Sequence, residues 1–95
     1  MTPSRMLHEL VTLRDRRVFY VLGTRPAVYY LVDREVGGVL INTPAFDAAL
    51  DQTLAAIAPL KFVFIPSRRG AQDLDRWREQ TAHLKKRLPV VFNLA

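Results

Sequence analysis

The five residues KFVFI, Lys61 to Ile65, lie between Pro59 and Pro66 and constrain the fold more than any other stretch of the chain. The run is apolar at four consecutive positions. It is too short for a stable helix and a proline bounds each end, so it reads as a strand covered on both faces. Helical patterns flank it. Upstream, Phe46, Leu50, Leu54 and Ile57 recur at spacings of four, four and three, which is one face of a helix. Thr43 reads as its cap, Pro44 as its first residue and Pro59 as its end. Downstream, Leu74, Trp77, Thr81, Leu84 and Leu88 alternate spacings of three and four, predicting a helix over 71–87. Asp73, Asp75 and Glu79 near its start and Lys85, Lys86 and Arg87 near its end complement the helix dipole. VVFNL then reads as a last strand.

The first half has a different texture. Leu10 to Leu13, Val18 to Leu22, Val28 to Val32 and Val39 to Ile41 are short runs of β-branched, aromatic and aliphatic residues, separated by DRR, GTRP and DREVGG. Connections this short join antiparallel neighbours. The chain of 95 residues therefore predicts a single α/β (α+β) domain over 1–95. Its mixed sheet combines an N-terminal antiparallel meander with a β-α-β-α-β segment, and its two main helices share one face.

That arrangement leaves the other face bare, yet Val39–Leu40–Ile41 and Phe62 to Ile65 are apolar at consecutive positions. A second copy of the chain is the expected cover, giving a homodimer through the open sheet face. The aromatic pairs Phe19–Tyr20 and Tyr29–Tyr30 are the candidate interface residues, because consecutive strand residues face opposite ways. Trp77, Phe62, Phe64 and Phe92 are expected in the core.

Composition narrows the function classes. There is no cysteine, which excludes a disulfide framework, thiolate zinc sites and cysteine nucleophiles. The start, MTPSRMLHEL, lacks the apolar core of a signal peptide, and no apolar run approaches the ~20 residues that span a bilayer. The expectation is a cytoplasmic protein with no membrane contact. The net charge of +5 invites nucleic acid as a partner. The cations are scattered, however, over Arg14, Arg16 and Arg17, over Arg68 and Arg69, and over Lys85, Lys86 and Arg87. Solvated surface is the favoured reading and nucleic acid the lesser one.

Taken together, YYLVDREVGGVLINTP, the alanine-rich helix, KFVFIPSRRGAQ and the Trp-containing helix resemble the N-terminal half of the metallo-β-lactamase-like fold, over roughly Tyr29 to Leu94. The resemblance implies half of that family's sandwich, truncated, with its metal motif replaced. Aligned on the family's histidine-rich loop, Pro66 falls at the threonine, Ser67 and Arg69 at the first two histidines, Ala71 at the aspartate and Gln72 at the last histidine. None of these is a ligand for zinc or iron, and Asn42 stands where the family keeps an acidic residue. His8 and His83 are the two histidines; they read as unrelated. The resemblance thus implies the architecture without metal, cofactor or hydrolytic activity.

Other chemistry finds little footing. Ser67 has no base beside it in sequence, and side chains two apart on a helix, as Asp73 and Asp75 are, diverge by roughly 200°. RRGAQ lacks the spacing of a phosphate loop. The loop remains a candidate anion site, with Ser67, Arg68, Arg69 and Gly70 around the free N–H groups of the following helix. The sequence therefore reads as a non-catalytic protein acting through self-association or protein interaction. An anion-binding module, for nucleic acid or a phosphorylated small molecule, is the alternative.

Overall fold

The computed structural model describes residues 6–80 and 88–92. Six strands, β1 (Leu7–Thr12), β2 (Arg16–Val21), β3 (Val28–Asp33), β4 (Gly37–Ile41), β5 (Leu60–Ile65) and β6 (Val90–Phe92), form one sheet in chain order. Neighbours from β1 to β4 are antiparallel, and β4, β5 and β6 are parallel. The two parallel steps require crossovers, supplied by α1 (Ala48–Ile57) and by the segment containing α2 (Leu74–Gln80). Successive right-handed crossovers moving the same way across a sheet put their helices on one face. Leu50 and Leu54 of α1 and Trp77 of α2 accordingly join one buried cluster with the sheet. The mixed fold is the one expected. The later part of the long helix over 71–87, with His83, Lys85, Lys86 and Arg87, lies outside the described residues, as does the end of VVFNL.

Several boundaries differ from expectation, two of them with a local cause. β1 begins at Leu7 rather than Leu10, because Leu7 pairs with Val21 and is buried. The first helix is capped by Asp47, not Thr43. The Asp47 carboxylate accepts from Ala49 N and Leu50 N, at 2.8 and 3.2 Å. Thr43 and Pro44 stay extended because other partners take their backbone groups. Thr43 N donates to Gly70 O at 2.7 Å, Gln72 N to Thr43 O at 3.1 Å, and the Trp77 indole to Pro44 O at 2.8 Å.

Strand alternation sorts the sheet into two faces. Toward the helices point Phe19 and Val21, then Val28 and Tyr30, Leu40, Val63 and Ile65, all buried. Tyr30 is fully buried, crosses above Gly38 and donates to Ala58 O at the end of α1, at 2.6 Å. Phe19 and Tyr30 therefore belong to the core and not to the open face, which corrects two of the four expected interface residues. Their register partners Tyr20 and Tyr29 face the other way, with ring centroids 5.8 Å apart.

The β1–β2 edge carries an exposed polar cluster on the helix side. Glu9 accepts from Arg17 Nε and Nη2, both at 2.9 Å, and from the Thr12 hydroxyl. The Arg17 hydrogen bonds, helped by Thr12, hold the Glu9 carboxyl well below its ordinary value, at about 2. A carboxyl depressed in the folded state adds stability that is present above its unfolded pKa and fades as pH falls toward its folded one. Glu9→Gln should therefore be less stable than the parent at neutral pH, and the gap should close between about pH 5 and pH 2. Urea melts of both proteins across that range check this; a gap independent of pH would refute it.

Candidate functional site

The face without helices is built from two apolar rows. Tyr20, Tyr29, Ile41, Phe64 and Val91 lie side by side across β2 to β6, with His8 at the β1 end. Val11, Val18, Leu31, Val39 and Phe62 form the second row. Along each strand the alternate residues are core, so the residues between them have no choice but this face. Most are half-buried by their neighbours alone, while Val11 and Val91 are 43% and 46% exposed. Phe62 and Phe64 sit here rather than in the core expected for them. Phe92, on the helix side of the edge strand β6, is 43% exposed. At the rim, Arg16 Nε meets Asp33 Oδ2 at 3.0 Å, which pairs the charges there. Asp33 also accepts from Val36 N and Glu35 N, and these bonds, with Arg16, lower its pKa. Of the four aromatic residues read from the sequence, the structure brings Tyr20 and Tyr29 to this surface. Ile41 and Phe64 at its centre come from the two apolar runs that required cover, while Leu31 is marked only by its strand parity.

The SRRG loop folds as a tight turn rather than as an open strand-to-helix connection. Arg68–Gly70 form a 3₁₀ turn, in which Gly70 N donates to Ser67 O and Ala71 N to Arg68 O. The Gly70 and Ala71 amides are thus taken up within the turn. Ser67 is exposed and caps nothing through its hydroxyl, and Gly70 is buried against Asn42. Arg68 and Arg69 part company: Arg69 lines the cleft beside Thr43 and Asp47, Arg68 a different one beside Asp75 and Phe92. The helix starts at Leu74, not at 71. Asp73, in a left-handed conformation with φ of 50°, turns its carboxylate to accept from Phe46 N at 2.8 Å, while its carbonyl accepts from Trp77 N at the helix start.

The loop also ties two connections together. A parallel bridge joins Thr43 to Ala71, tying the β4–α1 connection to the β5–α2 connection. Asn42, at φ of 64°, donates from its amide group to Ala27 O at 2.9 Å and from its backbone to Phe64 O at 2.9 Å. Trp77 is fully buried with its indole on Pro44 and its ring edge-on to Phe46, centroids 4.9 Å apart. Among the described residues no three His, Cys, Asp or Glu side chains gather as a metal ligand set, and His8 is exposed. No described helix is long and apolar enough to cross a membrane. Set against protein-family models, curated proteins and solved structures, the chain matches none.

Proposed function

We propose that the chain acts by self-association, a second copy covering the open sheet face, with no catalytic step of its own. The observation that carries this reading is the pair of apolar rows spanning six strands on the side that none of the described helices covers. Five strands about 17 Å long and the shorter β6, spaced by ~4.8 Å, give a sheet face on the order of 400 Å². That is the scale of the largest apolar patch on a typical monomer, which is often functional. Side-chain relief and the rim enlarge it toward the ~800 Å² per partner of a standard interface.

Charge argues for a copy of the same chain rather than a charged partner. The protein carries +5 overall, yet the two rows hold no acidic or basic side chain beyond His8 at the edge, and the rim pair Arg16–Asp33 is neutral. Two such faces meet without burying unpaired charge. Sheets packed face to face sit ~10 Å apart with strands roughly aligned. The layers would then run helix, sheet, sheet, helix, the order that the metallo-β-lactamase-like resemblance implies.

Light scattering coupled to size-exclusion chromatography tests this. The expected mass is twice the 10.9 kDa of the chain, retained at high salt because the contact is apolar. Leu31→Lys, at the centre of the second row, should give a folded monomer. A parent protein that runs as a monomer at every concentration would overturn the proposal.

A further inference from the structure

The observations point to a second site, on the opposite side of the sheet from the open face. Between the carboxyl ends of β4 and β5 and the β2–β3 turn lies a cleft of about 470 Å³. We propose that it binds the phosphoryl group of a small molecule, held by Arg25 and Arg69.

Its position is the first argument. In open α/β sheets ligands sit in the crevice beyond the carboxyl ends of the strands. Here the cleft lies beyond the carboxyl ends of the parallel pair β4 and β5. Its volume falls within the ~300–1,000 Å³ of small-molecule sites.

The chemistry of the lining is the second. Arg25 arrives from the β2–β3 turn and Arg69 from the loop after β5, residues 44 positions apart that both line one cavity. Neither has a carboxylate partner among the described residues, whereas Arg16, Arg17 and Arg34 each do. Both are held by braced backbone. The Thr24 hydroxyl donates to Val21 O at 2.7 Å and accepts from Val28 N at 2.9 Å, closing the turn that carries Arg25. Arg69 immediately precedes the Gly70–Thr43 hydrogen bond. The one acidic side chain in the lining, Asp47, has its Oδ1 engaged by Ala49 N and Leu50 N, so the lining holds two arginines and one committed carboxylate.

An independent observation marks the same place. Thr43 lines the cleft, is 2% exposed, and its hydroxyl oxygen has no hydrogen-bond partner. Buried hydroxyls without partners are uncommon, and a phosphoryl oxygen is the acceptor that two guanidinium groups would bring within reach. A bounded cleft with two converging arginines suits a small phosphate ester rather than a nucleic-acid backbone, which needs an extended basic track.

Amide chemical shifts followed during titration with inorganic phosphate, and separately with adenosine monophosphate, decide the matter. Sodium chloride at matched ionic strength serves as the reference. Saturable shifts at Thr24, Arg25, Thr43, Arg69 and Gln72 at millimolar phosphate are expected. Arg25→Ala and Arg69→Ala should each weaken binding by about tenfold, the effect of losing one charge-assisted contact, and Arg68→Ala, which faces the other cleft, should leave it unchanged. All three side chains are exposed, so the variants should fold. Shifts reproduced by sodium chloride alone, equal losses from Arg68→Ala, or binding of a single-stranded oligonucleotide without binding of phosphate would each overturn the assignment. Because the cleft lies on the helix side, Leu31→Lys should bind phosphate as the parent does, whatever its oligomeric state.

Discussion

Gly38→Ala is expected to destabilise the protein by about 3 kcal/mol, lowering the melting temperature by more than about 12 °C for a domain of this size. A Cβ built on Gly38 would stand 1.9 Å from the Tyr30 hydroxyl oxygen and 2.4 Å from the ring carbon that bears it. The ring has nowhere to go. Tyr30 is fully buried, and its hydroxyl donates to Ala58 O at the close of α1. Burial, with the Asp51 carboxylate adding to it, pushes the Tyr30 hydroxyl pKa upward, so it stays a neutral donor. Displacing it would break the tie between β3 and α1 and leave a carbonyl unpaired. Tyr30→Phe alone should cost about 1 kcal/mol, the net worth of one hydrogen bond. The double variant should be more stable than the sum of the two losses, since removing the hydroxyl removes the nearest clash. Thermal melts followed by circular dichroism read all three; a Gly38→Ala protein melting within about 3 °C of the parent would refute the steric argument.

Trp77→Ala should be the most damaging single truncation, at about 3–5 kcal/mol. A domain of this length is stable by only about 5–15 kcal/mol in total, so the variant is expected to be partly unfolded at 37 °C. Trp77 fills the space between α2 and the Thr43–Phe46 segment, with its indole N–H on Pro44 O and its ring against Phe46. Trp77→Phe keeps apolar bulk but leaves the Pro44 carbonyl without its donor, for a smaller loss of about 1–3 kcal/mol. Trp77 is the single tryptophan, so its fluorescence reports burial in the parent, and circular dichroism must follow the variants through urea. A Trp77→Ala protein within about 1 kcal/mol of the parent would place the anchor elsewhere.

The architecture was legible because it rests on local signals. Pro59 and Pro66 bracket β5 and the four-four-three spacing lies along α1, while short polar connections mark the meander. Hydrophobic period and turn chemistry act over a few residues and need no tertiary partner to be read. Failures came where a distant group changed a local preference. Thr43–Pro44 is a good helix start in isolation, but Gly70, Gln72 and Trp77 take its backbone groups, and Asp47 caps the helix instead. Phe62 and Phe64 read as core because they are large and apolar. Strand parity sends them to the open face, with Val63 and Ile65 taking the core.

The candidate sites divide in the same way. Tyr20 and Tyr29 reach the open face through alternation alone, which a sequence displays; which member of each aromatic pair faces out depends on the register against β1 and β4. The basic loop was visible as SRRG, but its shape was not, since a 3₁₀ turn takes up the Gly70 and Ala71 amides and sends Arg68 and Arg69 to separate clefts. Nothing in the sequence ties Arg25 to the SRRG loop. It gains a role only because the β2–β3 turn and the β5–α2 loop end at the same edge of the sheet. By itself the sequence determined the elements, their order and the side of the sheet that needs cover, since these follow from residue periodicity and the handedness of crossovers. Tertiary structure alone decided which cations converge and which polar atoms are left without partners, because both depend on distances between segments that the chain order does not encode.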